Sequence, residues 1–216
     1  METAVPKEIL SILLDFKGER VKEFCHRKIG EGITPHGIFA ELSAGLDEIG
    51  RGFEGKGETR YFTSDLIVSG RNMKRALEIL RPHFPKEGKG KGLVILGTVK
   101  GDVHDIGKMI FSVTLESNGF SCIDLGVDVD KAIFAESVAS RRPDILSLSA
   151  LLSSTLPAMG EVIEELKRRG LREDVKVIVG GHAVTEVFAR EIGADGYGRD
   201  AIDGLKKCLA FVGVER

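Results

Sequence analysis

From Leu93 onward the chain alternates short apolar runs with helical patterns, and this alternation constrains its fold more than any other feature. The first run, Leu93-Val-Ile-Leu-Gly-Thr-Val99, is continuously apolar, as expected of a parallel strand buried on both faces. Further strands are predicted over Ser121–Leu125, Asp144–Ser149, Val175–Val179 and Asp195–Tyr197. Helices are predicted over Ile106–Ser117, Lys131–Ser140, Leu156–Arg169, Val184–Ile192 and Ala201–Phe211. Strands separated by helices pair in parallel through right-handed crossovers, so the pattern implies an α/β domain with a doubly wound, five-stranded parallel sheet. Ligands of such sheets bind beyond the C-terminal strand ends, where the strand order reverses.

The residues before this domain have a different period. Pro6–Leu14 is a short apolar stretch with a plausible helical start, and Glu19–Ile29 carries Val21, Phe24, Cys25 and Ile29 near a 3.6-residue repeat, closed by Gly30 and Gly32. Thr34-Pro35 reads as an N-cap followed by Pro in the first turn, with Ile38, Phe39, Leu42, Leu46, Ile49 and Phe53 along one face. Ser64 is the expected cap of a last helix containing Leu66, Ile67, Met73, Leu77 and Leu80, with Pro82 just beyond. The chain is thus divided into a four-helix bundle over residues 1–85, a polar glycine-rich linker over 86–92 and the α/β domain over 93–216.

Composition narrows the function. A net charge of −2 argues against nucleic acid or an anionic membrane as partner, and the absence of Trp removes the usual stacking platform for single strands. No segment approaches the roughly 18 apolar residues of a membrane span, and the N-terminal residues lack a signal-peptide layout. Cys25, Cys122 and Cys208 lie far apart with no metal or redox spacing, as expected of reduced thiols in a cytoplasmic protein.

The uncommon residues collect at predicted strand ends. Gly101-Asp-Val-His-Asp-Ile-Gly107 follows the first strand and Ser149-Ala-Leu-Leu-Ser-Ser-Thr155 the third. Gly180-Gly181-His182 follows the fourth, and Gly196-Tyr-Gly-Arg-Asp200 follows the fifth. Asp102 and His104 are close enough in one loop for the carboxylate to accept a ring N–H, fix the tautomer and raise the basicity of the other nitrogen. Gly107 is expected to let the helix start pack closely, and Gly180-Gly181 to let a flat or bulky ligand approach the backbone. Taken singly, each feature has a plainer explanation. A loop His is usually a surface or capping residue, Gly-Gly is usually turn chemistry, and Ser or Thr after a strand usually caps the next helix, as these are expected to do too. Their convergence at one edge of one sheet favours a single pocket.

This pattern resembles the corrinoid proteins of methyltransferase systems and the cobalamin-binding region of methionine synthase. That family carries D-x-H-x-x-G after the first strand, S-x-L after the third and G-G after the fourth. Here these are Asp102-Val-His104-Asp-Ile-Gly107, Ser149-Ala-Leu151 and Gly180-Gly181. The helical half is also similar, through Gly52-Phe-Glu54, Tyr61-Phe62 and a helix ending at Arg81-Pro82. It departs from the family in a longer stretch at Gly55–Arg60 and in Thr63-Ser64, where Leu-Pro is common.

The resemblance implies a flavodoxin-like or Rossmann-like cobalamin-binding fold in which His104 is the lower cobalt ligand and Asp102 its hydrogen-bond partner. Thr155 takes the place of a Ser that completes a proton relay. The implied cofactor contacts are Asp102, Val103, His104, Asp105, Ile106, Gly107, Ser149, Leu151, Ser153, Thr155, Gly180, Gly181 and Tyr197. The bundle would shield the methyl-bearing face of the corrin, and the linker would act as hinge. The implied function is a methyl carrier, in which a substrate-specific methyltransferase methylates Co(I) cobalamin and a second one passes the methyl to a thiol or folate. A reductive activase completes the implied partners.

Other readings compete. A cobalamin-dependent sensor would add a DNA-binding helical domain, but the first 85 residues are used by the bundle and no basic recognition helix is present. The small cobalamin subunit of a carbon-skeleton mutase normally lacks the bundle. A cofactor-free flavodoxin-like protein, or a hydrolase holding a divalent metal with Asp102, His104, Asp105 and His182, leaves the glycine and Ser-Leu motifs unexplained.

Overall fold

The five apolar runs become β1 (Leu93–Thr98), β2 (Ser121–Asp124), β3 (Ile145–Ser149), β4 (Lys176–Gly180) and β5 (Gly196–Gly198), joined in parallel in the order β2-β1-β3-β4-β5. The structure is a computed structural model that describes residues 5–53, 55–56, 59–84 and 90–213. It divides into two units, Met1–Phe84 and Pro85–Arg216. Of the expected linker, residues 86–89 lie outside the described residues, while the N–H groups of Gly90 and Lys91 donate to the Gly119 carbonyl.

In the first unit, α1 (Lys7–Leu13), α2 (Glu19–Gly30), α3 (Pro35–Phe53) and α4 (Thr63–Leu80) bury one face each. The Thr34 hydroxyl accepts the Gly37 N–H at 3.2 Å, as its capping position requires. Two expectations need correction. Phe62, not Ser64, stands before the first turn of α4, with its N–H donated to Asp65 Oδ2 at 2.8 Å, and Ser64 lies exposed inside that turn. On α3 the inward face is Ile38, Leu42, Gly45, Ile49 and Gly52, whereas Phe39 and Leu46 are half-buried and Phe53 is exposed. Ile67 on α4 is likewise exposed. The glycines win the inward places because Ile9, Leu13 and Tyr61 come too near for a Cβ. Buried Asn72 ties α4 to the end of α1, donating to the carbonyls of Leu13 and Asp15 at 2.8 Å.

In the second unit, α5 (Ile106–Ser117) and α9 (Ala201–Phe211) cover one face of the sheet over Val94, Leu96, Ile145 and Ile178. The other face, with Ile95, Leu146, Leu148, Val177 and Val179, is covered by α6 (Lys131–Arg141), α7 (Leu156–Arg168) and α8 (Glu186–Glu191). Helix α8 starts at Glu186 rather than at the expected Val184, because Val184 turns into the core and the Thr185 hydroxyl accepts the Phe188 N–H at 3.1 Å. The chain leaves β1 for β2 on one side and returns to β3 on the other, so the order reverses between β1 and β3. The crevice of a doubly wound sheet therefore lies beyond these two strands. Among the described residues no helix is long and apolar enough to cross a membrane.

Candidate functional site

Beyond β1 the chain turns through Gly101 and sends the Asp102 side chain inward, where the residue is 1% exposed. An ionised carboxylate can only accept hydrogen bonds, and here it accepts from two loops. Oδ1 takes the His104 N–H at 3.0 Å and the His104 ring Nδ1–H at 2.7 Å. Oδ2 takes the N–H groups of Leu151 at 2.8 Å and Leu152 at 3.2 Å and the Thr155 hydroxyl at 2.9 Å. Burial pushes this carboxyl up, but the donors from His104, Leu151 and Thr155 outweigh burial and hold it well below the usual carboxylate range. Asp102 is therefore an anion.

The anion fixes the imidazole. With Nδ1–H donated to Asp102, the proton sits on Nδ1 and the Nε2 lone pair is left for a ligand. The Thr98 hydroxyl donates to the His104 carbonyl at 2.9 Å and holds the far side of the loop, and 47% of the imidazole side chain is exposed. Thr155, at the start of α7, was expected to cap that helix, but its hydroxyl turns back to Asp102 and to the Leu152 carbonyl, with no side-chain bond to the helix N–H groups.

The other sequence-derived positions spread around this group. Val103, Leu151 and Leu152 are exposed apolar side chains next to the imidazole loop or to the amides that Asp102 binds. Asp105 precedes α5 and accepts the Met109 N–H on its carbonyl, and Ile106 is half-buried. Gly107 is exposed, and a Cβ there would meet nothing within 4 Å. The expected close packing of the helix start is therefore absent, and the glycine leaves open space instead. Ser149 lies opposite Thr98 and Gly180, half-buried. Gly181 has φ +124°, and a Cβ would lie 2.0 Å from the Ala150 carbonyl oxygen. Its lack of a side chain thus serves the close passage of its own backbone past the end of β3. Ser153 is exposed in a short 3-10 turn, and Tyr197 is half-buried against the core on β5, with β3 and β4 between it and β1.

Three residues escaped the sequence reading. Asp128 Oδ1 accepts the Gly101 N–H at 2.8 Å, and buried Lys108 on α5 pairs with Asp124 at the end of β2. The available signal was Asp124 itself, an acid at the C-terminal end of a strand, where this fold gathers its ligands.

The donor set is specific. Among the described residues no three His, Cys, Asp or Glu side chains come together as a metal-binding group, so the metal centre imagined from Asp102, His104, Asp105 and His182 is not assembled. One oriented imidazole beside exposed apolar side chains suits a metal that arrives with its other ligands already attached in a large, partly apolar ring.

Comparison with known proteins points the same way. Residues 92–206 match the B12 binding domain family. The chain is 35% identical to trimethylamine corrinoid protein 1 of Methanosarcina acetivorans over 204 residues, 93% of each chain. Its fold is similar to that of the Methanosarcina barkeri monomethylamine corrinoid protein, with a TM-score of 0.86, 30% identity and 94% and 96% of the two chains covered. A chain of the methanol:cobalamin methyltransferase complex of Methanosarcina barkeri is also similar, with a TM-score of 0.55, 28% identity and 95% and 78% covered.

Proposed function

Since the chain belongs to the corrinoid proteins of methyltransferase systems and carries a B12-binding domain, we propose that it is a methyl carrier whose cobalamin is ligated from below by His104. The observation that carries this reading is the buried Asp102 anion holding Nδ1–H of His104, which leaves Nε2 as the single oriented donor. The bound corrinoid supplies a cobalt centre able to take up a methyl group and release it.

The protein's own residues do the rest. Asp102 keeps the imidazole in one tautomer and makes Nε2 more basic, and Thr155 supports Asp102 from β3's side of the crevice. Val103, Asp105 and Ile106 border the ligand loop. The open space at Gly107, with Ser149, Leu151, Ser153, Gly180, Gly181 and Tyr197, is assigned to the remainder of the cofactor. Residues 93–216 form this binding module, residues 1–85 a separate helical module, and 86–92 connect them. A substrate-specific methyltransferase would donate the methyl group, a second would receive it for a thiol or folate, and a reductive activase would restore the reduced metal. The likeness to a chain of the methanol:cobalamin methyltransferase complex supports the first of these.

The test is the absorption spectrum of the protein reconstituted with hydroxocobalamin, beside His104→Ala. A bound corrinoid whose spectrum changes when His104 is lost supports the reading. Failure to retain corrinoid, or identical spectra, sinks it.

A further inference from the structure

The turn after β2 holds the histidine segment at both of its ends. At one end, Asp128 Oδ1 accepts the Gly101 N–H at 2.8 Å, and the Asp128 N–H donates to the Asp102 carbonyl at 2.8 Å. The neighbouring residues add a parallel bridge between Val99 and Val129. At the other end, the buried Lys108 ammonium in the first turn of α5 pairs with Asp124, whose Oδ1 also accepts the Gly126 N–H at 2.9 Å. His104 thus sits in a stretch of chain gripped on each side by one short turn, residues 124–129.

Asp128 is the unusual member. It has φ +55°, the left-handed region that L side chains seldom enter and that Asp and Asn tolerate best. That conformation aims both its N–H and its carboxylate at the same loop. Gly101, its partner, has φ +85°, so the loop pivots at a residue with no side chain to hold it. Remove the Asp128 carboxylate and the Gly101 N–H loses its acceptor one residue before Asp102. The Lys100 ammonium, 3.1 Å from Asp128 Oδ2, is exposed and adds little.

We propose that Asp128 is a positioning residue that sets the pitch of the Gly101–His104 loop and thereby the direction in which Nε2 is offered to the corrinoid. This role rests on the reading that His104 is the lower ligand. A residue acting only through His104 should matter only while His104 is present.

A double-mutant cycle on the full chain tests it, with hydroxocobalamin as probe and its dissociation constant as readout. Asp128→Gly removes the carboxylate and relieves the positive φ, which guards against simple misfolding. Asp128→Asn keeps an oxygen for the Gly101 N–H. With His104 present, Asp128→Gly is expected to weaken corrinoid binding about fivefold, the ratio set by one net hydrogen bond, and Asp128→Asn by no more than about twofold. In the His104→Ala background, Asp128→Gly should change nothing further. Unchanged affinity in Asp128→Gly, or an equal loss with and without His104, overturns the proposal. If His104→Ala alone leaves both affinity and spectrum untouched, the underlying ligand assignment has failed instead.

Discussion

Both ends of the five-stranded sheet use aspartates to bind backbone N–H groups, but they complete the arrangement differently. At the N-terminal end, Asp144 accepts the Leu93 N–H at 2.7 Å, and Asp195 accepts the Val177 N–H at 2.7 Å together with the Arg172 guanidinium at 2.8 Å. Both acids there are answered by backbone N–H groups, and Asp195 by basic side chains as well. At the C-terminal end, Asp102 also gathers backbone amides, yet one of its donors is an imidazole with a second nitrogen to spare. The same carboxylate chemistry ties strands together at one end and prepares a ligand at the other. What separates them is the partner placed beside the acid: a guanidinium carries only donors, whereas a histidine held at one nitrogen presents a lone pair at the other.

Breaking the C-terminal arrangement should have the largest effect. Asp102→Ala strands the amides of His104, Leu151 and Leu152 and frees the imidazole, so a loss of about 3 kcal/mol in urea unfolding is expected, with histidine ligation of added corrinoid abolished. Full retention of either would show that the acid is dispensable.

Acid should reach the same contact. Because the folded-state carboxyl of Asp102 titrates below its ordinary value of 3.8, its contribution is fully present above that value and is lost as pH falls below it. Urea midpoints of the wild type should therefore fall more steeply as pH drops below about 4 than those of Asp102→Asn. Parallel curves would remove Asp102 from the account.

Asp195→Ala is the matching cut at the other end. Loss of its backbone and guanidinium partners should cost about 2 kcal/mol in unfolding, while the corrinoid spectrum stays that of the wild type. A changed spectrum would mean that the ends are coupled and the contrast false. Thr155→Val removes one of the Asp102 donors and should cost about 1 kcal/mol, with Thr155→Ser restoring it. The smallest effect belongs to Lys100→Ala, below about 0.5 kcal/mol, since its pair with Asp128 is exposed. A larger loss would give that ion pair a role denied to it above.

Much of the fold is legible in the sequence because the hydrophobic period changes cleanly at Leu93. Helices α5 and α9 run over the expected residues, Ile106–Ser117 and Ala201–Phe211, since glycine and aspartate punctuate both sides. The bundle is harder to read. On α3 an apolar pattern selects Phe53, yet the inward positions go to Gly45 and Gly52, where α1 and the segment before α4 leave no room for a side chain. Asp102, His104 and Thr155 stand out because they fall at strand ends. Asp128 and Lys108 do not. An acid in a turn looks like a turn former, and a lysine in an amphipathic helix looks solvated. Only the pairing of β1 with β2 brings Asp128 to Gly101, 27 residues earlier, and Lys108 to Asp124, 16 residues later.

The carboxylate of Asp102 joins residues far apart along the chain, and this bears on the order of events during synthesis. His104 emerges from the ribosome only two residues after Asp102, but Leu151, Leu152 and Thr155 follow 49, 50 and 53 residues behind the acid. Until β3 has docked beside β1, the acid lacks the donors that hold it buried, and the carboxylate that orients the imidazole is itself not fixed. An oriented histidine is therefore a property of the finished sheet, and cofactor loading belongs to the completed domain rather than to the nascent chain.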